Sequence, residues 1–231
     1  MNKKNRLNQL EFFADVAPET VKRLWDIGKV VCVSKGTVLM RAKEPTPFIY
    51  FQLTGKSMVY NLTHQGKRKI LFIFGKGMML NEHVLNDRTT SIYCETIDKS
   101  EIFAIPTAEF VKIMAEDFTL VKQVLESQEK KMWRLSHQLK NTMSSIYLER
   151  KLASKLWKLC RDFGIRKDEG IEIDINMTIT FLADMLGVSR ETTSRVCSTL
   201  TEHGLMKMNK KRIIIIDPDK LSAFYRTGKY E

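Results

Sequence analysis

Apolar positions change rhythm along this chain, and each rhythm predicts a different kind of element. Residues 1 to about 28 read as a helical preface: Leu10, Phe12 and Phe13 come first, and Pro18 then opens a helix with Val21, Leu24, Trp25 and Ile27 on one face. From Val30 the texture becomes short runs of β-branched and aromatic residues at 30–33, 38–40, 48–53, 58–62, 70–74, 91–96 and 102–105. Turn residues separate them, among them Lys35-Gly36, Pro45 and Pro47, Gly55, Gly66 and Gly75-Lys76-Gly77. Many short strands at this spacing predict an antiparallel jelly roll or barrel. Helices resume at Pro106.

Beyond that point Phe118, Val121, Leu125, Gln128, Met132, Leu135, Leu139, Thr142 and Ile146 follow one another in alternating steps of three and four. That is the a/d seam of a heptad repeat, and such a stripe needs a partner helix. We therefore expect a parallel homodimer joined through Leu125, Met132, Leu135, Leu139 and Ile146, rather than a helix packed only on its own roll. The 143–146 stretch reads as a hinge, followed by a helix carrying Leu148, Leu152, Leu156, Trp157 and Leu159.

The most specific pattern lies at 177–205. Ile179, Leu182, Ala183 and Leu186 mark one short helix that stops at Gly187. Ser189 is a good N-cap for a second, Glu191 suits the positive end of its dipole, and His203-Gly204 ends it. With Val196 and Leu200 facing inward, this is a helix-turn-helix, whose second helix enters the major groove of DNA. Its outward face carries Arg190, Glu191, Thr192, Ser194 and Arg195. Arginine can fork onto guanine, glutamate can accept from cytosine, and hydroxyls with Ser189 can contact phosphates. Residues 206–208 and 212–216 then read as a hairpin wing, with Lys210, Lys211 and Arg212 at its tip for phosphate clamping.

The formal net charge of +11 is consistent with a polyanionic partner, DNA or a membrane surface. No apolar run approaches the roughly 18 residues of a membrane span, and the amino terminus lacks the apolar core of a signal peptide, so a cytoplasmic protein is expected. Cys32, Cys94, Cys160 and Cys197 are widely separated and are expected to be buried, reduced thiols, although a redox-sensing role stays open. Neither a disulfide framework nor a metal site is expected from this spacing.

The order helix, β-roll, long helix, winged helix-turn-helix resembles the catabolite-activator/Fnr (Crp/Fnr) family of bacterial transcription regulators. Lys35-Gly36, Tyr50 to Gly55, Gly66, Gly75 to Gly77 ahead of Asn81-Glu82, and above all Ser189 to Arg195 carry the resemblance. It implies an α+β architecture: an effector-sensing, cyclic-nucleotide-binding-like β-roll with its helices at 1–117, a dimerisation helix at 118–146 and a winged helix-turn-helix at 147–231. Arg190, Glu191 and Arg195 match the base-reading positions of the catabolite-activator branch, and Glu191, Ser194 and Arg195 also match the Fnr branch. Half-sites with a TGA core in an inverted repeat follow, and the family's habit points to an activator that recruits RNA polymerase. Relatives that bind cyclic nucleotides use a Gly-Glu pair and an Arg-Ser/Thr pair. Here Asn81 replaces the glycine and Arg88-Thr89 stands too close to Glu82, which argues against cyclic AMP and for another small-molecule effector. Glu82, Arg88, Thr89 and Thr90 would line its pocket, with Ser136 and His137 from the long helix; a surface ion pair between Glu82 and Arg88 is the competing reading. No cysteine precedes Cys32, so an Fnr-type iron–sulfur cluster is not expected, and His64, His83, Cys32 and Cys94 are weak candidates for haem ligands. An enzyme is not expected, because a cupin-like metal site needs paired histidines that the roll lacks. The other alternative is a small-molecule-binding scaffold with a vestigial helix-turn-helix.

Overall fold

Alternation along the first hundred residues produces two antiparallel sheets. The strands are β1 (Lys29–Val33), β2 (Val38–Met40), β3 (Phe48–Thr54), β4 (Ser57–Leu62), β5 (Arg68–Phe74), β6 (Tyr93–Thr96) and β7 (Ser100–Pro106). One sheet has the order β1-β7-β3 and the other β2-β6-β4-β5. These crossovers are those of a jelly roll, as the strand spacing predicts. The computed structural model describes residues 6–85, 89–143 and 147–229, so Arg88 and Ile146 lie outside the described residues. The chain divides into two compact units, 1–62 with 70–136, and 63–69 with 137–231.

In the first unit two 3-10 turns, Leu7–Gln9 and Glu11–Phe13, precede α1 (Pro18–Ile27). Phe12 and Phe13 each meet Phe51 with ring centroids 4.9 Å apart. Phe51 is fully buried, so its truncation to alanine should cost about 3–5 kcal/mol. Next come α2 (Thr107–Glu116) and α3 (Phe118–Met143). Leu120 and Val124 of α3 enter the core of the roll, and Val121 packs against it. Val121 therefore leaves the seam expected from its heptad position, because the roll takes up the first turn of that face. Phe118, Leu125, Met132, Leu135 and Leu139 remain largely exposed, between 44% for Leu135 and 72% for Phe118, an unusual amount of apolar surface for one helix.

The second unit is built on α4 (Leu148–Phe163), which buries Leu152, Ala153, Leu156, Leu159 and Cys160. The hairpin of β8 (Gly164–Lys167) and β9 (Gly170–Ile173) was not legible in the sequence, because β8 is exposed throughout and shows no alternation. It extends the expected wing, β10 (Met206–Asn209) and β11 (Arg212–Ile215), into one sheet of order β10-β11-β9-β8. A carboxy-terminal helix α7 (Pro218–Thr227), likewise unanticipated, is capped by the Asp217 side chain. It sets Tyr225 5.7 Å from the Trp157 ring of α4.

Cys94, Cys160 and Cys197 are buried, as expected, but Cys32 is exposed. Cys32 lies on β1, an edge strand of its sheet, and falls on its outward register. Burial pushes the Cys94 thiol up to about 12 and Cys197 to about 11, which keeps both protonated and poorly nucleophilic. Among the described residues no helix is long and apolar enough to cross a membrane.

Candidate nucleic-acid interface and sensor residues

The helix-turn-helix forms where its capping residues demand it. The first helix, α5 (Ile179–Leu186), starts on Thr178, whose hydroxyl accepts from the Phe181 amide at 3.1 Å. It ends on Gly187 at φ +78°, a left-handed conformation that a side chain would strain. The second helix, α6 (Arg190–Glu202), starts on Ser189, whose Oγ accepts from the Thr192 amide at 3.1 Å and lies 3.1 Å from the Thr192 hydroxyl. Thr193 is fully buried and donates to the Ser189 carbonyl at 2.9 Å. Val196, Cys197 and Leu200 complete the inward face.

That packing leaves Arg190, Glu191, Ser194 and Arg195 exposed on the opposite face, with Thr192 half-buried. Ser198 shares this exposed face one turn after Ser194; the i, i+4 spacing was the signal for it, and sequence reasoning passed over it. Glu191 is held below the usual carboxylate range, first by a hydrogen bond from its own amide, then by Ser189, with Arg190 and Arg195 adding to the effect. An ionised acceptor and two permanent forked donors therefore lie together on one helical surface, the arrangement needed to read a C·G step by its edges.

At the wing, β10 and β11 pair from Met206↔Ile215 to Asn209↔Arg212 and leave a two-residue tip, Lys210-Lys211. Lys210 takes φ +55°. Asn176, Asn209, Lys210, Lys211 and Arg212 line an open hollow of about 530 Å³, in which Asn176 is a further residue that sequence reasoning missed. Arg212 is not the freely projecting cation expected of it. Its Nη1 donates to Asp174 Oδ1 at 2.7 Å across the sheet, so it braces the wing against the strand before it. The tip charge rests with Lys210 and Lys211.

The residues expected to line an effector pocket behave differently from one another. The Glu82 carboxylate accepts from the Ser91 amide at 3.1 Å, the Ser91 hydroxyl at 3.0 Å and the Thr90 hydroxyl at 3.4 Å, so its acceptors are engaged within the roll. Thr90 is buried and Thr89 exposed. Asn81, at the place of the missing glycine, braces β3: its Oδ1 accepts from the Tyr50 amide at 2.7 Å and its Nδ2 donates to the Phe48 carbonyl at 2.9 Å. Ser136 and His137 are exposed on α3, and the Ser136 hydroxyl turns back to donate to the Met132 carbonyl at 3.0 Å. Sequence reasoning missed Lys131, whose Nζ donates to the Asn81 carbonyl at 2.6 Å. A lysine in an amphipathic helix ordinarily reads as part of its wet face.

A β-roll carrying a long helix, and a second unit that presents a capped recognition helix beside a basic wing, define a transcription regulator of the sensor-plus-winged-helix class. A family profile described as a Crp-like helix-turn-helix domain matches residues 150–224, and one described as a cyclic nucleotide-binding domain matches residues 30–117. The transcriptional regulator Flp of Lacticaseibacillus casei is 26% identical over 197 residues, covering 83% of this chain and 85% of that protein. The global nitrogen regulator of Synechococcus elongatus is 30% identical over 122 residues, and this chain spans about half of its length, 54%. In fold, a regulator of the Crp/Fnr family from Eubacterium rectale superposes with a TM-score of 0.75 at 18% identity, over 95% of this chain and 100% of that one. The chain belongs to the Crp/Fnr family of transcription regulators.

Proposed function

We propose that this chain is a homodimeric, effector-responsive regulator that binds an inverted-repeat operator with TGA-containing half-sites and activates transcription by recruiting RNA polymerase. The observation that carries this reading is the exposed face of α6, where Glu191, ionised and held by its own amide and Ser189, stands beside Arg190 and Arg195. Arg195 forks onto a guanine, Glu191 accepts from a cytosine amino group, and Arg190 takes a further guanine or a phosphate. Lys210 and Lys211 grip the flanking backbone. Dimerisation through Leu125, Met132, Leu135 and Leu139 is supported by their exposure at heptad spacing. A two-fold pair of recognition helices fits half-sites one helical turn apart. The activating direction follows family habit.

The small-molecule effector shifts a pre-existing equilibrium between helix arrangements in the dimer. Glu82, Thr89, Thr90, Ser136 and His137 are proposed for its site, with Glu82 acting through Ser91 and Thr90. The decisive experiment is equilibrium binding of the full chain to symmetric operator variants and to scrambled DNA at several salt concentrations. A preference for the inverted repeat with a steep salt dependence is expected; salt-insensitive or absent binding would instead leave the protein as a scaffold whose helix-turn-helix is vestigial.

A further inference from the structure

Arg212 and Asp174 are brought face to face by the register of the wing sheet. Arg212 is the first residue of β11 and Asp174 the residue after β9, and the antiparallel pair Ile213↔Ile173 sets the two directly opposite each other. Asp174 is also fixed through its backbone, since its amide donates to the carbonyl of Phe163, the last residue of α4, at 2.8 Å. Arg212 Nη1 then donates to Asp174 Oδ1 at 2.7 Å.

The wing does not need this pair to stand. Backbone ladders already join β10, β11 and β9, and the Met177 amide donates to the Lys211 carbonyl at 2.7 Å. With side chains 34% and 40% exposed, such an ion pair contributes little to stability. Its effect falls on charge instead. The hollow at the wing is lined by three cations and two carboxamides, Lys210, Lys211, Arg212, Asn176 and Asn209, a donor set suited to a backbone phosphate. Asp174 sets a negative charge against the most directional of these cations, the arginine fork. Turning Arg212 toward a phosphate would leave that carboxylate unpaired beside a second anion, so the exchange gains little.

Resting on the proposed contact of the wing with operator DNA, we propose that Asp174 is a positioning residue that withholds Arg212 from the DNA backbone. Lys210 and Lys211 then carry the phosphate contacts of the wing by themselves. Binding to unrelated sequence comes essentially from phosphate contacts, so one contact fewer per chain lowers the background against which an operator competes.

The test is anisotropy titration of the full chain on operator and scrambled duplexes over a range of salt concentrations, for the native protein, Asp174→Asn, and Asp174→Asn combined with Arg212→Gln. Asp174→Asn keeps the size of the side chain and removes its charge. It should tighten both duplexes about fivefold per bound chain at about 0.1 M salt, and steepen the logarithmic salt slope by about 0.9 per chain. A brace with only a structural role would do the reverse, because a loosened wing binds more weakly. The double variant is neutral at this place, as the native pair is, so it should return to the native slope. Weaker or unchanged binding by Asp174→Asn, or tightening without a change of slope, would overturn the proposal. So would a double variant with a slope shallower than native by about 0.9 per chain, since Arg212 would then already be on a phosphate. If Asp174→Asn does not fold, the double variant decides by the same slope: native supports the proposal, shallower overturns it. Salt-dependent DNA binding that is indifferent to Asp174 removes this proposal alone, whereas a native chain that ignores duplex DNA at every salt concentration removes the regulator reading with it.

Discussion

Arg195 and Lys211 are both exposed cations, yet they should fail differently when removed. Arg195→Ala should cost about 1–3 kcal/mol and relax discrimination at one base pair, whereas Lys211→Ala should weaken all sequences alike and flatten the logarithmic salt slope by about 1. Anisotropy titrations on operator and scrambled duplexes separate the two, and unchanged discrimination in Arg195→Ala would mean that α6 has been placed wrongly against DNA. Lys131 offers a second measurement. Burial pushes its amine down to about 7 in the folded chain, against its ordinary 10.5 when unfolded, so between those values the unfolded state binds more protons. Stability should therefore rise with pH across that window, and Lys131→Met should flatten the rise; urea midpoints at both ends of the window would read it.

At the scale of elements, the recognition helix depends on its first hydrogen bond. Ser189→Ala removes the acceptor for the Thr192 amide and should lower stability by about 1 kcal/mol, with Ser189→Asp largely retaining it. Thermal unfolding of the two variants reads the difference, and equal melting temperatures would show that the cap contributes nothing. For α3 the expected outcome concerns association rather than folding. Leu135 is 44% exposed, so Leu135→Glu should leave the melting of the single chain within about 0.5 kcal/mol while placing like charges in the proposed seam. Sedimentation equilibrium should then show dissociation of the dimer, and a native chain that is already monomeric at micromolar concentration would exclude the seam. The heptad pattern announced this stripe but misplaced Val121, since a repeat of three and four cannot tell a neighbouring helix from the molecule's own sheet.

For the whole molecule, the scale of a two-fold complex shows in its salt response. Each phosphate neutralised contributes about −0.9 to the logarithmic slope on B-DNA, so a dimer gripping through two wings and two recognition helices should respond about twice as steeply as a monomeric variant on a half-site. Equal slopes for the native chain and Leu135→Glu would mean that only one copy engages DNA. Much of this organisation was legible beforehand, because the roll, the long helix and the helix-turn-helix each have a characteristic period or cap. The β8–β9 hairpin was not, since its edge strand β8 is exposed at every position and carries no alternation to read.

The sequence by itself determined the elements that depend on local chemistry: strand alternation from 30 onward, the Gly187 turn, the Ser189 cap, and the outward set from Arg190 to Arg195. These rest on backbone preferences and on side chains a few residues apart, which the order of residues records directly. Tertiary structure alone decided which of those groups are already engaged. Arg212 meets Asp174 across a sheet, Glu82 is bound by Ser91, Cys32 points outward, and the Lys131 amine is enclosed against Asn81 and Phe74. Partners distant in sequence and the loss of water around a charge are properties of packing, and no periodicity along the chain encodes them.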